Sequence, residues 1–137
     1  MRTVITLWQP WAQWVALGWK TIETRTHDRF ACLKGQIICI HAGLKWDPMA
    51  QELAYRYMTV QQEIVTDNRF GMTLGDVSGK IIATVFVRAF RKLEPCDSQA
   101  ALIECKTPRW GLILESPILL PQPIAVRGKQ GIWHYEG

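Results

Sequence analysis

Short segments rich in β-branched and apolar residues recur along this chain, and several of them alternate apolar with polar side chains. Alternation with a period of two predicts strands that bury one face. The segments predicted in this way are residues 3–7, 21–25, 80–90, 110–114 and 132–135. Residues 36–41 instead form a nearly continuous apolar run, which indicates a strand that is buried on both faces.

Two segments have helical spacing. A first helix is predicted after Pro10, which suits a first helical turn, and it ends at Gly18. A second helix is predicted from Asp47 and Pro48, a capping residue followed by a first-turn proline, to about Ile64.

The intervening segments favour loops. Residues 66–79 are rich in Gly, Asp and Asn, and residues 94–104 are irregular or weakly helical. Pro117, Pro121 and Pro123 are expected to break regular structure. Many short strands with two early helices predict the α+β class, as a small mixed β-barrel with helices packed at its side or mouth.

Composition bounds the function without defining it. The 137 residues are 48% hydrophobic and 20% charged, so we expect one globular domain over residues 1–137. The net charge of +4 permits contact with nucleic acid without requiring it. The sequence has neither a membrane-spanning apolar run nor a signal-peptide pattern, so we expect a cytoplasmic protein without a membrane partner. We also expect a monomer. The cysteines lack zinc-site spacing, and we predict no metal and no cofactor.

The candidate chemistry is concentrated at Lys20, Glu23 and Arg25. On a strand, Glu23 and Arg25 share one face, and Lys20 at the strand entry can reach the same side. Arg25 can grip a phosphate or a base edge, Glu23 can accept from an exocyclic amine, and Lys20 supplies a point charge. The alternative is an internal ion-pair network.

Seven tryptophans are more than one small core needs, so one or two are expected to line a pocket for a flat ring. Trp11 is the candidate for stacking on a base. Gln9 either caps the first helix or bonds a ligand. Trp8 and Trp14 are expected in the core.

Two further groups are candidates. His41 ends the apolar strand, where it is either a hydrogen-bonded structural histidine or a general base, and Lys45 follows it at the same opening. Arg127, Lys129 and Gln130 lie in a glycine-rich segment that either suits a phosphate or forms a tight turn before the last strand.

Several of these segments together resemble the ASCH domain family, which belongs to the PUA-like barrels. The stretch Gly-Trp-Lys-Thr-Ile-Glu-Thr-Arg at residues 18–25 is similar to the family signature G-x-K-x-x-E-x-R. Residues 7–12, 35–42, 110–112 and 127–133 also look familial. The combination of Gln-Pro-Trp-Ala with a final Gly-x-x-Gly-Ile-Trp is similar to ASCH domains of eukaryotic transcription coactivators and to stand-alone bacterial and phage proteins.

The resemblance implies a PUA-like barrel with a cleft between the first helix and the sheet that holds RNA, DNA or a modified nucleoside. We therefore expect RNA, another single-stranded nucleic acid or a nucleoside-like small molecule as the partner. The residues expected to bind it are Gln9, Trp11, Lys20, Glu23, Arg25, Lys45, Arg127, Lys129 and Gln130.

Two alternatives stay open. One is a hydrolase, either a ribonuclease or an enzyme of acylated nucleosides, with Lys20 and Glu23 as acid and base and His41 as a further candidate. The resemblance places Glu23 where the family's amidohydrolases carry a catalytic Thr, and this departure argues against the same mechanism. The other alternative is a protein-interaction module in a transcription-related complex.

Overall fold

The structure is a computed structural model, and it describes residues 1–58, 77–106 and 109–137. The strands in these ranges are β1 (Arg2–Gln9), β2 (Ile22–Arg25), β3 (Ile37–Trp46), β4 (Lys80–Lys92), β5 (Trp110–Ala125) and β6 (Ile132–Tyr135). The helices are α1 (Trp11–Ala16), α2 (Ala50–Tyr55) and α3 (Ser98–Ala101), with 3₁₀ turns at Ala31–Leu33 and Pro95–Asp97. Within the described ranges, no helix combines the length and the apolar character needed to cross a bilayer.

The strands form one mixed sheet in the order β2-β5-β4-β3-β1-β6. β1 and β3 run parallel, and the other neighbouring pairs run antiparallel. In the part of the chain that the structure describes, β2 and β6 are the edges, and the sheet is open between them. The predicted α+β class is confirmed.

The core covers both faces of the central strands. Ile38 and Ile40 of β3 belong to the main apolar cluster, whereas Cys39 packs on the other side with Val4 and Trp133. The predicted burial on both faces is therefore confirmed for residues 38–41, whereas Ile37 near the start of the run is 69% exposed. This burial fixes the strand register, because a slip by one residue would move every side chain to the opposite face.

The prediction that three prolines break regular structure holds only in part. The pairing of β5 with β4 shifts register at Pro117 and again over Pro121 and Pro123, but the strand does not end there. β5 continues through Pro117, Pro121 and Pro123 to Ala125. β2 pairs only with the first four residues of β5. Along the rest of β5, the side away from β4 has no neighbouring strand among the described residues. Proline is tolerated in a strand where its missing N–H would face such an edge. It also discourages pairing with another chain.

The second helix differs from its predicted bounds. It begins at Ala50 rather than at Asp47, with Met49 at the N-cap. Asp47 instead accepts a hydrogen bond from the Met49 N–H through Oδ1 at 2.9 Å, and one from the indole of Trp11 through Oδ2 at 3.1 Å. The predicted continuation over residues 59–64 and the predicted loop over residues 66–76 lie outside the described residues.

Gly111 of β5 allows β2 to pack closely. A Cβ at this position would lie 2.5 Å from Cδ2 of Leu93 and 2.8 Å from Cγ2 of Ile22, and both side chains are buried. We expect Gly111→Ala to lower the free energy of unfolding by about 1–3 kcal/mol, because neither neighbour has room to withdraw. Urea unfolding measures this. An unchanged urea midpoint would contradict this, because it would mean that β2 and β5 can move apart to accommodate the added methyl group without loss of stability.

Candidate functional site

A cleft of about 950 Å³ lies beside the end of β1. Its walls come from β1, the start of α1, β2 with the loop after it, the end of β3, and the segment between β5 and β6. The predicted site residues that line it are Trp11, Lys20, Glu23, Arg25, His41, Lys45, Arg127, Lys129 and Gln130. Among the lining residues that were not predicted are Trp8, Arg29, Phe30 and Asp47.

Glu23 and Arg25 lie side by side on one face of β2, as the strand alternation predicted. Oε2 of Glu23 is 3.3 Å from a terminal guanidinium nitrogen of Arg25, and both side chains are mostly buried. The guanidinium also lies over the ring of Phe30, 4.4 Å from its centroid. Among the described residues, none is a hydrogen-bond partner of the buried Nε of Arg25. The pair thus presents a hydrogen-bond acceptor and a donor together at the cleft wall.

Lys20 is the least solvated cation of the cleft, with 2% of its surface exposed. Nζ donates a hydrogen bond to the main-chain carbonyl of Ala101 and lies 4.8 Å from the centroid of the Trp11 ring. Burial lowers the pKa of Lys20 from 10.5 to about 8, against the opposing effect of the Glu23 charge. The amine therefore deprotonates much nearer to neutral pH than an exposed lysine does.

Trp11 is fixed by neighbours on several sides. Its indole N–H donates to Asp47, and its ring meets Trp14 edge to face with centroids 5.1 Å apart. Lys20 occupies a position over the ring. Trp11 therefore joins α1 to the end of β3, and it has little free surface for a ligand ring.

Gln9 is fully buried and does not line the cleft. Its Oε1 accepts a hydrogen bond from the Gln13 N–H at 3.2 Å. Of the two roles predicted for Gln9, the structure shows the bond to the first turn of α1. This contact fixes where the helix begins relative to β1, and so where Trp11 enters the cleft.

His41 lies in a chain of hydrogen bonds that determines its tautomer. Trp133 Nε1 donates to Thr6 Oγ1 at 3.0 Å, Thr6 Oγ1 is 3.3 Å from His41 Nδ1, and His41 Nε2 is 2.8 Å from the carbonyl oxygen of Val126. A carbonyl only accepts and an indole N–H only donates. The neutral imidazole therefore carries its proton on Nε2, and Nδ1 accepts from the Thr6 hydroxyl. Both ring nitrogens are engaged, as predicted for a structural histidine.

The segment between β5 and β6 packs onto this histidine. A Cβ on Gly128 would lie 2.6 Å from Cε1 of His41, so only glycine allows such a close approach. Arg127, Lys129 and Gln130 flank this contact and are exposed at the cleft rim. The predicted basic segment is thus brought to the same cleft as Lys20, although about a hundred residues separate them in sequence.

Trp8 was predicted to be a core residue, and this prediction is wrong. Its side chain is 52% exposed and lines the cleft, with Nζ of Lys45 lying 5.4 Å from its ring centroid. Trp14, the other predicted core tryptophan, is buried. Trp8 is exposed because β1 alternates at this point: Leu7 and Gln9 on either side of it are buried, and Trp8 points to the opposite face.

The cleft concentrates the positive charge of the molecule. Among the described residues, six of the chain's 16 Lys and Arg line it, against two of its 12 Asp and Glu. The remainder of the sequence then has ten residues of each sign. Four of the six cations, Arg29, Lys45, Arg127 and Lys129, are exposed at the rim. A cleft lined by one sign of charge attracts the opposite sign.

Solved structures share this architecture. The chain resembles the ASCH protein from Zymomonas mobilis with a TM-score of 0.59 and 14% identity, over 98% of this chain and 87% of that one. A variant of the same protein matches with a TM-score of 0.58 at 14% identity, over 98% and 88% of the two chains. No protein-family model and no curated protein matches the chain. The chain therefore shares the fold of these ASCH structures, as the resemblance predicted.

Proposed function

We propose that the protein binds single-stranded nucleic acid, RNA first, or a smaller ligand that contains a nucleoside, in the cleft between α1 and the sheet. The observation that carries this proposal is that cationic side chains lie beside aromatic rings in the cleft. Three cations line the cleft beside aromatic rings, in the pairs Lys20–Trp11, Arg25–Phe30 and Lys45–Trp8, and of these rings Trp8 is the exposed one. Phosphates and planar bases need these two kinds of surface side by side.

Glu23 and Arg25 supply the polar recognition in this proposal. A carboxylate accepts from exocyclic amines, and a guanidinium donates to carbonyl or ring nitrogen acceptors on the same base edge. The two groups already pair with each other in the structure, so they lose little side-chain freedom on binding.

The first test is a binding panel of single-stranded RNA, single-stranded DNA, hairpins and modified nucleosides. We expect Arg25→Ala to weaken binding of the best ligand by about 10-fold or more, because one bidentate contact to a base contributes about 1–3 kcal/mol. Arg88→Ala is the matched control, since Arg88 forms a similar ion pair with Glu115 at 3.4 Å but does not line the cleft. Equal losses in both variants, or no binding across the panel, would contradict the proposal.

One observation favours hydrolysis as a second candidate function. Lys20 has a pKa lowered to about 8 and lies near Glu23, which suits an amine that exchanges protons close to neutral pH. The panel samples should therefore also be analysed for phosphodiester and acyl cleavage products. Turnover that disappears in Lys20→Met would establish an enzyme. The four exposed cations at the rim support binding of an extended anion, rather than a small closed pocket.

A further inference from the structure

Trp8 and Lys45 form an aromatic–cation pair that the recognition by Glu23 and Arg25 does not use. The fold creates it by a register shift. Leu7 of β1 pairs with Ala42 of β3, and Gln9 pairs with Trp46, so one residue of β1 lies opposite three of β3 and the bulge is in β3. Bulges re-aim side chains of the bulged strand, here including Lys45, often beside functional sites. Here the shift places an indole and an ammonium together at the rim of the cleft.

The two cation–tryptophan pairs of the cleft differ in whether a ligand can displace the cation. Lys20 is buried and hydrogen-bonded to the carbonyl of Ala101, so it stays over Trp11. Lys45 is exposed, and among the described residues its ammonium contacts only the Trp8 ring, 5.4 Å from the ring centroid. A cation–π contact at an exposed site is weaker than the stacking of a base on an aromatic side chain. A base can therefore replace Lys45 on Trp8, but not Lys20 on Trp11.

The exposed cations at the rim favour a ligand that carries several phosphates. Arg29 follows β2, Lys45 belongs to β3, and Arg127 and Lys129 precede β6. All four line one cleft of about 950 Å³ and are exposed. A free nucleoside has no phosphate for any of them, and a mononucleotide has one. A strand of several nucleotides gives each wall of the cleft its own anion.

We propose that Trp8 stacks on a base of a single-stranded oligonucleotide while Lys45 turns to the neighbouring phosphate. The ligand is then a strand that extends from Glu23 and Arg25 to the rim, rather than a free nucleoside. Trp8, and not Trp11, is the stacking residue. This inference rests on the proposed function and adds to it the polymeric nature of the ligand and the residue that holds it.

The test measures binding of labelled single strands of about eight nucleotides by fluorescence anisotropy, between about 50 and 200 mM salt. Free nucleosides and mononucleotides serve as competitors. We expect Trp8→Ala to weaken binding about 10-fold and Trp8→Phe to restore most of it, because the phenyl ring keeps a stacking face. Trp46→Ala is the matched control, since this exposed indole lies outside the cleft.

Lys45 has its own signature in the salt dependence. Four neutralised phosphates predict a slope of log affinity against log salt of about −3 for a single strand, and Lys45→Ala should reduce its magnitude by about 0.7. Lys92→Ala is the control, because Lys92 lies at the same 5.4 Å from the ring of Trp110, away from the cleft. We expect no change in slope there.

The outcomes separate the two proposals. If Trp8→Ala binds like the wild type while Arg25→Ala loses binding, the cleft binds nucleic acid but Trp8 does not stack, and this inference is wrong. If mononucleotides compete as well per molecule as the strand, the ligand is not a polymer. If no strand or nucleoside binds, the proposed function fails and this inference fails with it. A loss in Trp8→Ala with a reduced slope in Lys45→Ala supports both.

Discussion

Lys20→Met should make the protein more stable at neutral pH, by about 2 kcal/mol. Burial has lowered the pKa of Lys20 from 10.5 to about 8. Each pKa unit corresponds to about 1.4 kcal/mol, so keeping the charged amine in the folded protein costs about 3 kcal/mol. Methionine fills a similar volume without that cost. Methionine cannot donate the hydrogen bond to the carbonyl of Ala101, and this loss lowers the expected stabilisation by about 1 kcal/mol.

The sign of the pH dependence follows from linkage. Between about pH 8 and pH 10.5 the unfolded chain holds a proton on Lys20 that the folded protein has released. Stability rises with pH wherever the unfolded state binds more protons. The cost of the charged lysine is thus complete below pH 8 and is relieved as the pH approaches 10.5. The advantage of Lys20→Met should shrink over this window.

Urea unfolding of wild type and Lys20→Met, at about pH 7 and about pH 9.5, measures both effects. Lys34→Met is the control, because Lys34 is exposed and its replacement should change stability by less than about 0.5 kcal/mol at either pH. A Lys20→Met protein that is less stable than wild type at neutral pH would show that the buried ammonium is fully compensated.

A residue that lowers stability where it stands points to a role other than stability. Active and binding sites commonly retain such groups, and replacing them stabilises the protein while function is lost. We expect Lys20→Met to combine higher stability with weaker ligand binding. If Lys20→Met is more stable but binds ligand and turns over like the wild type, Lys20 has no functional role in the site, although it lines the cleft.

The local pattern of the sequence predicted those parts of the site that depend on one strand. Alternation placed Glu23 and Arg25 on one face, and the structure has them 3.3 Å apart. Local reasoning failed for Trp8, because the prediction followed the apolar character of the indole, whereas the alternation of β1 buries Leu7 and Gln9 and exposes Trp8 between them. It failed in part for the prolines of β5 because the cost of a proline depends on whether the neighbouring position in the sheet is occupied.

Long-range contacts explain the remaining misses. Asp47 has the spacing of a helix cap, and nothing in the local pattern indicates that its second oxygen binds Trp11, 36 residues earlier. Arg29 and Phe30 follow β2 in a segment whose sequence has no strand or helix periodicity. Both line the cleft, where the ring of Phe30 packs against the guanidinium of Arg25. Sequence reasoning predicts which residues share an element, whereas these residues meet through the packing of separate elements.

His41 should act through position rather than through proton transfer, and two variants distinguish the roles. His41→Ala leaves the Val126 carbonyl without its donor and opens a cavity, so we expect a loss of about 2–4 kcal/mol in stability. His41→Gln offers an amide N–H to Val126 and an oxygen to the Thr6 hydroxyl. It should recover most of the loss and keep ligand binding. A general base at this position would instead lose all turnover in both variants.

Limited trypsin digestion reports directly on the segment that His41 holds. Arg127 and Lys129 are the cleavage sites within it, and both are exposed. Once the contacts of His41 with Val126 and Gly128 are lost, we expect faster cleavage there in His41→Ala, whereas His41→Gln should be cleaved at the wild-type rate. Gly111→Ala is the control, because it lowers global stability without touching this segment. Equal acceleration in Gly111→Ala would mean that cleavage follows global unfolding and that His41 does not hold the segment specifically.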